Sequence, residues 1–248
     1  DQEDGRLAYL RWLVEFGGEM ARTTGRYEFR DEAQLAVLFD APGAGDSEVR
    51  QHRIDIEPSG NRSSLYASVR YSATRRLTAD FGLRWDRQSL DPTHGHPWSP
   101  RLALRYQLRP DTDLRASWGR AYQSQNIDEL PVSDGVTQYS RPQRTDHFAL
   151  GAEHRYASGI ALRAEIYDKH IVDPRPRYEN LLNTLTLLPE LKPDRVLIAP
   201  LRSRARGLEL FLQRKDSGPL TWWLGYSWSS VRDEIGGREV PRSWDQTH

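Results

Sequence analysis

Apolar and polar side chains alternate one by one along most of this chain. In 64–72, Leu65, Ala67, Val69 and Tyr71 alternate with Ser64, Tyr66, Ser68, Arg70 and Ser72. In 78–86, Ala79, Phe81, Leu83 and Trp85 oppose Thr78, Asp80, Gly82, Arg84 and Asp86. The same period of two runs through 101–108, 114–119, 148–156, 160–167, 208–213 and 220–229. A period of two places one set on each face of a β-strand, so these segments are predicted strands with one apolar and one polar face. The N-terminal stretch is ambiguous. Leu7, Leu10, Leu13 and Val14 fit a helix face, whereas Trp12, Val14 and Phe16 fit a strand; Gly17-Gly18 disfavours a continuing helix, so a strand over about 8–22 is expected.

The connections add a second pattern. Four are very short: Ala73–Arg76, Arg109–Asp111, Ala157–Gly159 and Asp216–Pro219, three of them with the Gly or Pro that tight turns need. They alternate with long links at about 23–60, 90–97, 123–142, 174–202 and 233–240. Short and long connections therefore fall at opposite strand ends, the layout of an up-and-down transmembrane β-barrel with tight turns on one side and long loops on the other. A sandwich or propeller spreads loop lengths more evenly, and no internal repeat is visible. Tyr71, Trp85, Tyr106, Trp118, Tyr156, Trp222, Tyr226 and Trp228 lie mostly near strand ends on the apolar face, where an interfacial aromatic girdle places them. The opposite faces carry Arg70, Arg84, Asp86, Arg101, Arg105, Arg115, Glu153, Arg163, Glu165 and Glu209, which a wet lumen tolerates and a sandwich's outer face would also tolerate.

Composition agrees with this reading. The mean hydropathy of −0.76 and a net charge of zero describe an ordinary soluble domain at first sight. No apolar run is long enough for a membrane helix, but a barrel strand shows lipid only every second residue. Zero net charge argues against nucleic acid as partner. The absence of Cys excludes disulfides, thiolate metal sites and a Cys nucleophile.

Several segments resemble one family. Ser99-Pro100-Arg101 in a strand is followed, after a hairpin, by Arg115-Ala116-Ser117-Trp118-Gly119-Arg120-Ala121-Tyr122 and then Glu129-Leu130. Three further stretches fit, Gly82-Leu83-Arg84-Trp85-Asp86 before it and Arg206-Gly207-Leu208-Glu209 and Pro241-Arg242-Ser243-Trp244-Asp245-Gln246 with His248 after it, and Gly18-Glu19 adds an upstream match. Together they resemble the barrel of TonB-dependent outer-membrane receptors over most of 12–248. One departure is Gln123-Ser124-Gln125-Asn126, where the family often has Pro. The resemblance implies a 22-stranded type of barrel, of which nine full strands and the start of a tenth are counted here. It also implies localisation in the outer membrane of a Gram-negative bacterium and energy-coupled import of a scarce large solute, foremost an iron-siderophore. The implied partners are outer-membrane lipid and lipopolysaccharide, a small-molecule metal chelate as cargo, and the TonB complex acting through an N-terminal plug region. Neither that plug nor an aromatic-ended terminal strand is in residues 1–248, both ends read as cut, and the whole chain is expected to be one partial barrel domain.

Catalytic signatures are lacking: no GxSxG elbow, HExxH or P-loop occurs, and a transporter rather than an enzyme is expected, with no cofactor and no metal site. His94-Gly95-His96 offers two imidazoles without a third ligand, and Ser140, Asp146 and His147 form a triad only on paper. Recognition is expected on the long loops. Arg175, Arg177 and Tyr178 in one, and Gln125, Tyr139 and Arg141 in another, carry the forks and flat rings suited to an anionic chelate. The apolar run Leu181–Leu191 is expected to form a short helix or fold over the mouth. Two other architectures stay open on the residues alone: a smaller self-contained barrel, either porin or hydrolase, and a soluble β-sandwich binding module.

Overall fold

In the computed structural model, the structure describes residues 11–34, 49–93, 95–180, 195–214 and 220–242. The strands are β1 (Trp12–Thr24), β2 (Tyr27–Gln34), β3 (Val49–Ile56), β4 (Ser59–Ser72), β5 (Leu77–Gln88), β6 (Trp98–Arg109), β7 (Thr112–Gln123), β8 (Gln143–Arg155), β9 (Ile160–Val172), β10 (Arg177–Asn180), β11 (Arg195–Ile198), β12 (Arg202–Arg214), β13 (Trp222–Ile235) and β14 (Arg238–Pro241). Ten of them form one antiparallel sheet in the order β1-β4-β5-β6-β7-β8-β9-β12-β13-β14. Nine are long and β14 is short, matching the count expected from the alternation. The sheet is a single up-and-down layer with β1 and β14 at its edges, so it is neither a sandwich nor, among the described residues, a closed small barrel.

The expected strands are present, and most run further than the alternation does. β13 continues from 229 to Ile235 and β7 to Gln123, past the apolar band, where both faces turn polar and the period-two signal fades. The first residues of the predicted 8–22 strand, the Asp216–Pro219 turn, His94, Leu181–Leu191 and the segment after Arg242 lie outside the described residues.

Three expectations about links are corrected. The link at 23–60 contains an antiparallel hairpin of β2 and β3, and that at 174–202 contains the hairpin of β10 and β11. The link at 233–240 is no long loop. Ile235 pairs with Arg238 across a two-residue turn, Gly236-Gly237, with φ of 57° and 75°. Positive φ at both central residues defines a type I′ hairpin turn, which only Gly or Asn-like residues enter readily.

The two faces differ as predicted. One face holds Phe16 at 82% exposure, Leu150 at 58% and Leu224 at 64%, while the buried apolar residues among those described are Ile54, Ala79, Leu130 and Ala149. Leaving such side chains in water forgoes about 1.5–3 kcal/mol each, which lipid contact recovers. The other face is laced by ion pairs: Arg70–Asp80 at 2.7 Å, Arg84–Asp86 at 2.9 Å, Arg105–Asp113 at 3.0 Å and Arg115–Glu153 at 3.0 Å. It is the inward, wet face.

The register records how the strands tilt. Outward residues Ala79, Leu104, Ala116, Leu150, Ile166, Leu208 and Trp228 lie directly side by side from β5 to β13. Trp85 and Trp98, paired with each other, mark the long-loop edge of the apolar band on β5 and β6, and Trp228 marks it on β13. Yet Trp228 is level in register with Ala79, six residues short of Trp85. The band therefore slips by about one residue per strand across six strand-to-strand steps. A slip of ~3.3 Å for each ~4.8 Å of strand spacing is a slope of about 35°, the tilt of transmembrane barrel strands.

Close packing on the inward face depends on glycine at one place in particular. A Cβ on Gly207 would lie 2.5 Å from the Tyr167 ring, so the absence of a side chain there lets that ring lie flat across the neighbouring strand.

Candidate functional site

The inward wall toward the long-loop end encloses a cavity of about 810 Å³ lined by Tyr66, Arg84, Arg101, Gln143, His147 and Lys169, among others. Lys169 stands 5.0 Å from the Tyr167 ring, and His147 meets that ring edge-on at 6.1 Å. The wall is thus cationic and aromatic, a surface suited to a bulky anionic or polar guest rather than to bond chemistry.

Above the wall, the loops are tied to one another. Tyr27 Oη of the β2–β3 hairpin donates to Ile127 O at 2.6 Å and accepts from Leu130 N at 2.9 Å, joining the first long link to the loop after β7. Arg195 of β11 pairs with Asp134 of that same loop through Nε and Nη2 at 2.6 and 2.8 Å, with the Asp134 side chain only 6% exposed. Asp233 is fully buried on the inner face of β13. It accepts from Ser203 Oγ at 2.6 Å and Arg242 Nη2 at 2.8 Å, and Arg177 Nη2 approaches at 2.9 Å. One carboxylate therefore ties the β10–β11 hairpin to the barrel rim.

The residues expected from sequence to touch ligand sort into two groups. Gln125 is buried and braces its own loop, donating to Glu129 O at 2.6 Å and accepting from Ser140 N at 2.9 Å. Tyr139 Oη donates to Ile127 O at 2.8 Å, and burial pushes its phenol up to about 12. Arg175 pairs with Glu129 at 2.8 Å, and Arg177 pairs with Asp233 and Glu179. Burial opposes ionisation of Glu129, but the Asn126 amide and Arg175 outweigh it and hold the carboxyl below its usual range. Arg141 is exposed, and neither its side chain nor that of Tyr178 makes a hydrogen bond or ion pair among the described residues. The structure brings Gln125, Tyr139 and Arg175 into one loop cluster, with Arg177 beside it on the rim.

Sequence reading missed Tyr27, Asp134, Arg195 and Asp233. Their partners lie far away along the chain, and no local pattern announces them. Asp146 and His147, adjacent on β8, point to opposite faces; Asp146 accepts from Arg120 at 2.7 Å on the outward side, so the paper triad does not assemble. His96 stacks on Trp85 at 5.8 Å. Among the described residues no group of three or more His, Asp or Glu is arranged to hold a metal ion.

A single tilted antiparallel layer, greasy outside and charged inside, with tied loops at one end, defines a transmembrane β-barrel segment. The profile of the family described as TonB dependent receptor-like, beta-barrel, matches residues 2–245, and the chain belongs to that family of receptors. No curated protein matches it. Among solved structures it is similar to the ferric enterobactin receptor PfeA of Pseudomonas aeruginosa at 16% identity, covering 90% of this chain and 37% of that one, with a TM-score of 0.59. It is also similar to the siderophore receptor PirA of Acinetobacter baumannii at 15% identity, 94% and 36% coverage and a TM-score of 0.58. The outer membrane transporter YddB of Escherichia coli gives 13% identity, 95% and 35% coverage and a TM-score of 0.61. The chain spans a little over a third of the length of these structures, and at such identities the likeness speaks to fold.

Proposed function

We propose that this chain is one partial barrel domain of a Gram-negative outer-membrane receptor for TonB-energised uptake of a scarce large solute, foremost an iron-siderophore. Family membership over 2–245 carries the reading. PfeA is a ferric enterobactin receptor and PirA a siderophore receptor, which favours a ferric chelate as cargo. The cationic wall and its cavity of about 810 Å³ suit such an anionic guest. In this reading Arg141 and Tyr178 contact the ligand, while Gln125, Tyr139, Arg175 and Arg177 hold the loops in shape for it. The TonB complex acts through a plug region of the same receptor, and the surrounding lipid, lipopolysaccharide included, covers the outward face.

The test is uptake of radiolabelled ferric chelates of catecholate and hydroxamate type into cells that carry or lack the gene, with and without an energised inner membrane. Gene- and energy-dependent uptake of one class is the expected result. Equal uptake of every chelate in both strains would overturn the cargo assignment, and gene-dependent uptake that ignores energisation would overturn the coupling.

A further inference from the structure

The β10–β11 hairpin is gripped on both faces. Across the hairpin Arg177 pairs with Ile198, Tyr178 with Leu197 and Asn180 with Arg195. Side chains alternate between the two faces of a strand, and cross-strand partners share one. Arg177, Glu179 and Ile198 therefore lie on one face, and Tyr178, Leu197 and Arg195 on the other. Arg177 reaches Asp233 on the inner side of β13, whereas Arg195 reaches Asp134 in the loop after β7. A two-stranded ribbon whose opposite faces meet different walls stands between them, as a door stands between its jambs.

The two grips differ in what they leave behind when they part. Each oxygen of Asp134 takes one donor from Arg195, at 2.6 and 2.8 Å, and no other donor meets that carboxylate among the described residues. Separating this pair strands a buried carboxylate, which is steeply unfavourable. Arg175, just before β10, adds a second tie to the same loop through Glu129 at 2.8 Å. The loop is itself fixed to the wall, where Gln88 Nε2 of β5 donates to Gln125 O at 2.9 Å. At Asp233 the balance is reversed. Without Arg177, Oδ1 keeps Ser203 Oγ and Arg242 Nη2 at 2.6 and 2.8 Å, and Oδ2 keeps Arg242 Nε at 3.2 Å. Arg177 in turn keeps Glu179, two residues along its own strand. This pair opens with no buried charge left alone, so the rim side is the side that yields.

The yielding side adjoins the inward cavity. Ala121, Thr145, Ile171, Ser203 and Asp233 stand side by side in one row of the inner wall. The first three line the cavity of about 810 Å³. A hairpin swung away from Asp233 uncovers the rest of that row and extends the cavity sideways over β12 and β13.

Resting on the cargo reading given above, we propose that the β10–β11 hairpin is a latched door. It is hinged on the loop after β7, shut by Arg177 on Asp233, and opened at that latch to admit cargo to the inward cavity. Arg177 and Asp233 are positioning residues: they set where the passage forms without touching the cargo.

The experiment uses the full-length receptor in liposomes, with thiols introduced in pairs; residues 1–248 contain no Cys of their own. Ile198→Cys with Val240→Cys spans the latch, since Ile198 is the cross-strand partner of Arg177 and Val240 that of Asp233. Leu197→Cys with Thr137→Cys spans the hinge. Spin labels on each pair are read by double electron–electron resonance, with and without Arg177→Gln. The latch distance should lengthen and broaden in that variant while the hinge distance stays as it was. An unchanged latch distance overturns the latch, and a hinge distance that lengthens with it overturns the hinge. In cells, a short reducible thiol cross-linker across the latch pair should lower uptake of a ferric catecholate or hydroxamate chelate at least fivefold, and reductant should restore it. The same cross-linker across the hinge pair should leave uptake unchanged. Normal uptake with the latch cross-linked overturns the door. Absence of chelate uptake before any cross-linking, with the distance shift intact, would sink the cargo reading and leave the latched hairpin standing.

Discussion

Asp233 shows what one side chain contributes to the rim. With its carboxylate wholly buried between Ser203, Arg242 and Arg177, Asp233→Ala leaves two guanidiniums facing an empty space. Breaking a buried pair this way costs about 3–5 kcal/mol, and thermal unfolding of the full-length protein in detergent should show a loss of that order. Arg177→Ala should cost far less, because Ser203 and Arg242 still satisfy Asp233; its signature is faster proteolysis of the β10–β11 hairpin. Glu129 gives a pH dependence. Its carboxyl is more acidic in the folded loop than in an unfolded chain, so the stabilisation is present above the ordinary range of ~4.3 and is lost as pH falls through the depressed folded value. Amide exchange at Asn126, whose N–H bonds Glu129 at 2.8 Å, should accelerate at low pH, and Glu129→Gln should remove most of that dependence. The tie between Asp233 and Arg177 was not legible in the sequence, since a carboxylate and its guanidinium 56 residues apart leave no local pattern.

At the scale of elements, legibility followed lipid contact. β5, β6 and β12 announce themselves because every second residue must be apolar where acyl chains touch it. The hairpin of β2 and β3 places Tyr27, Phe29, Ile54 and Ile56 on one face and Glu28, Arg30, Arg53 and Asp55 on the other, but this alternation ends after four residues of each strand at Asp31 and His52, too short a run to read as a strand. The alternation also ends before β13 does, where Arg232, Asp233 and Glu234 precede the turn. There Gly236-Gly237 was the one available signal, and positive φ at both makes it testable. Gly236→Ala with Gly237→Ala should cost about 1–2 kcal/mol per residue in the left-handed conformation and loosen β14, read as faster amide exchange at Arg238 and Val240. By contrast, Asn at either position should be tolerated.

For the whole molecule, the stepped aromatic edge predicts orientation. Polarised infrared spectroscopy of the full-length protein in aligned bilayers should place the strands at about 35° to the membrane normal; a value near zero would contradict the slip read from the register. The slope also sets a width. Spaced ~4.8 Å apart and tilted by that angle, the 22 strands of a large outer-membrane transporter span a circumference of about 130 Å, a cylinder some 40 Å across between backbones. Side chains of the inward wall are too short to fill such a bore. Left open, a bore of that width would pass ions and small metabolites freely, so strand number and tilt together set how much other material a barrel of this type must hold within it.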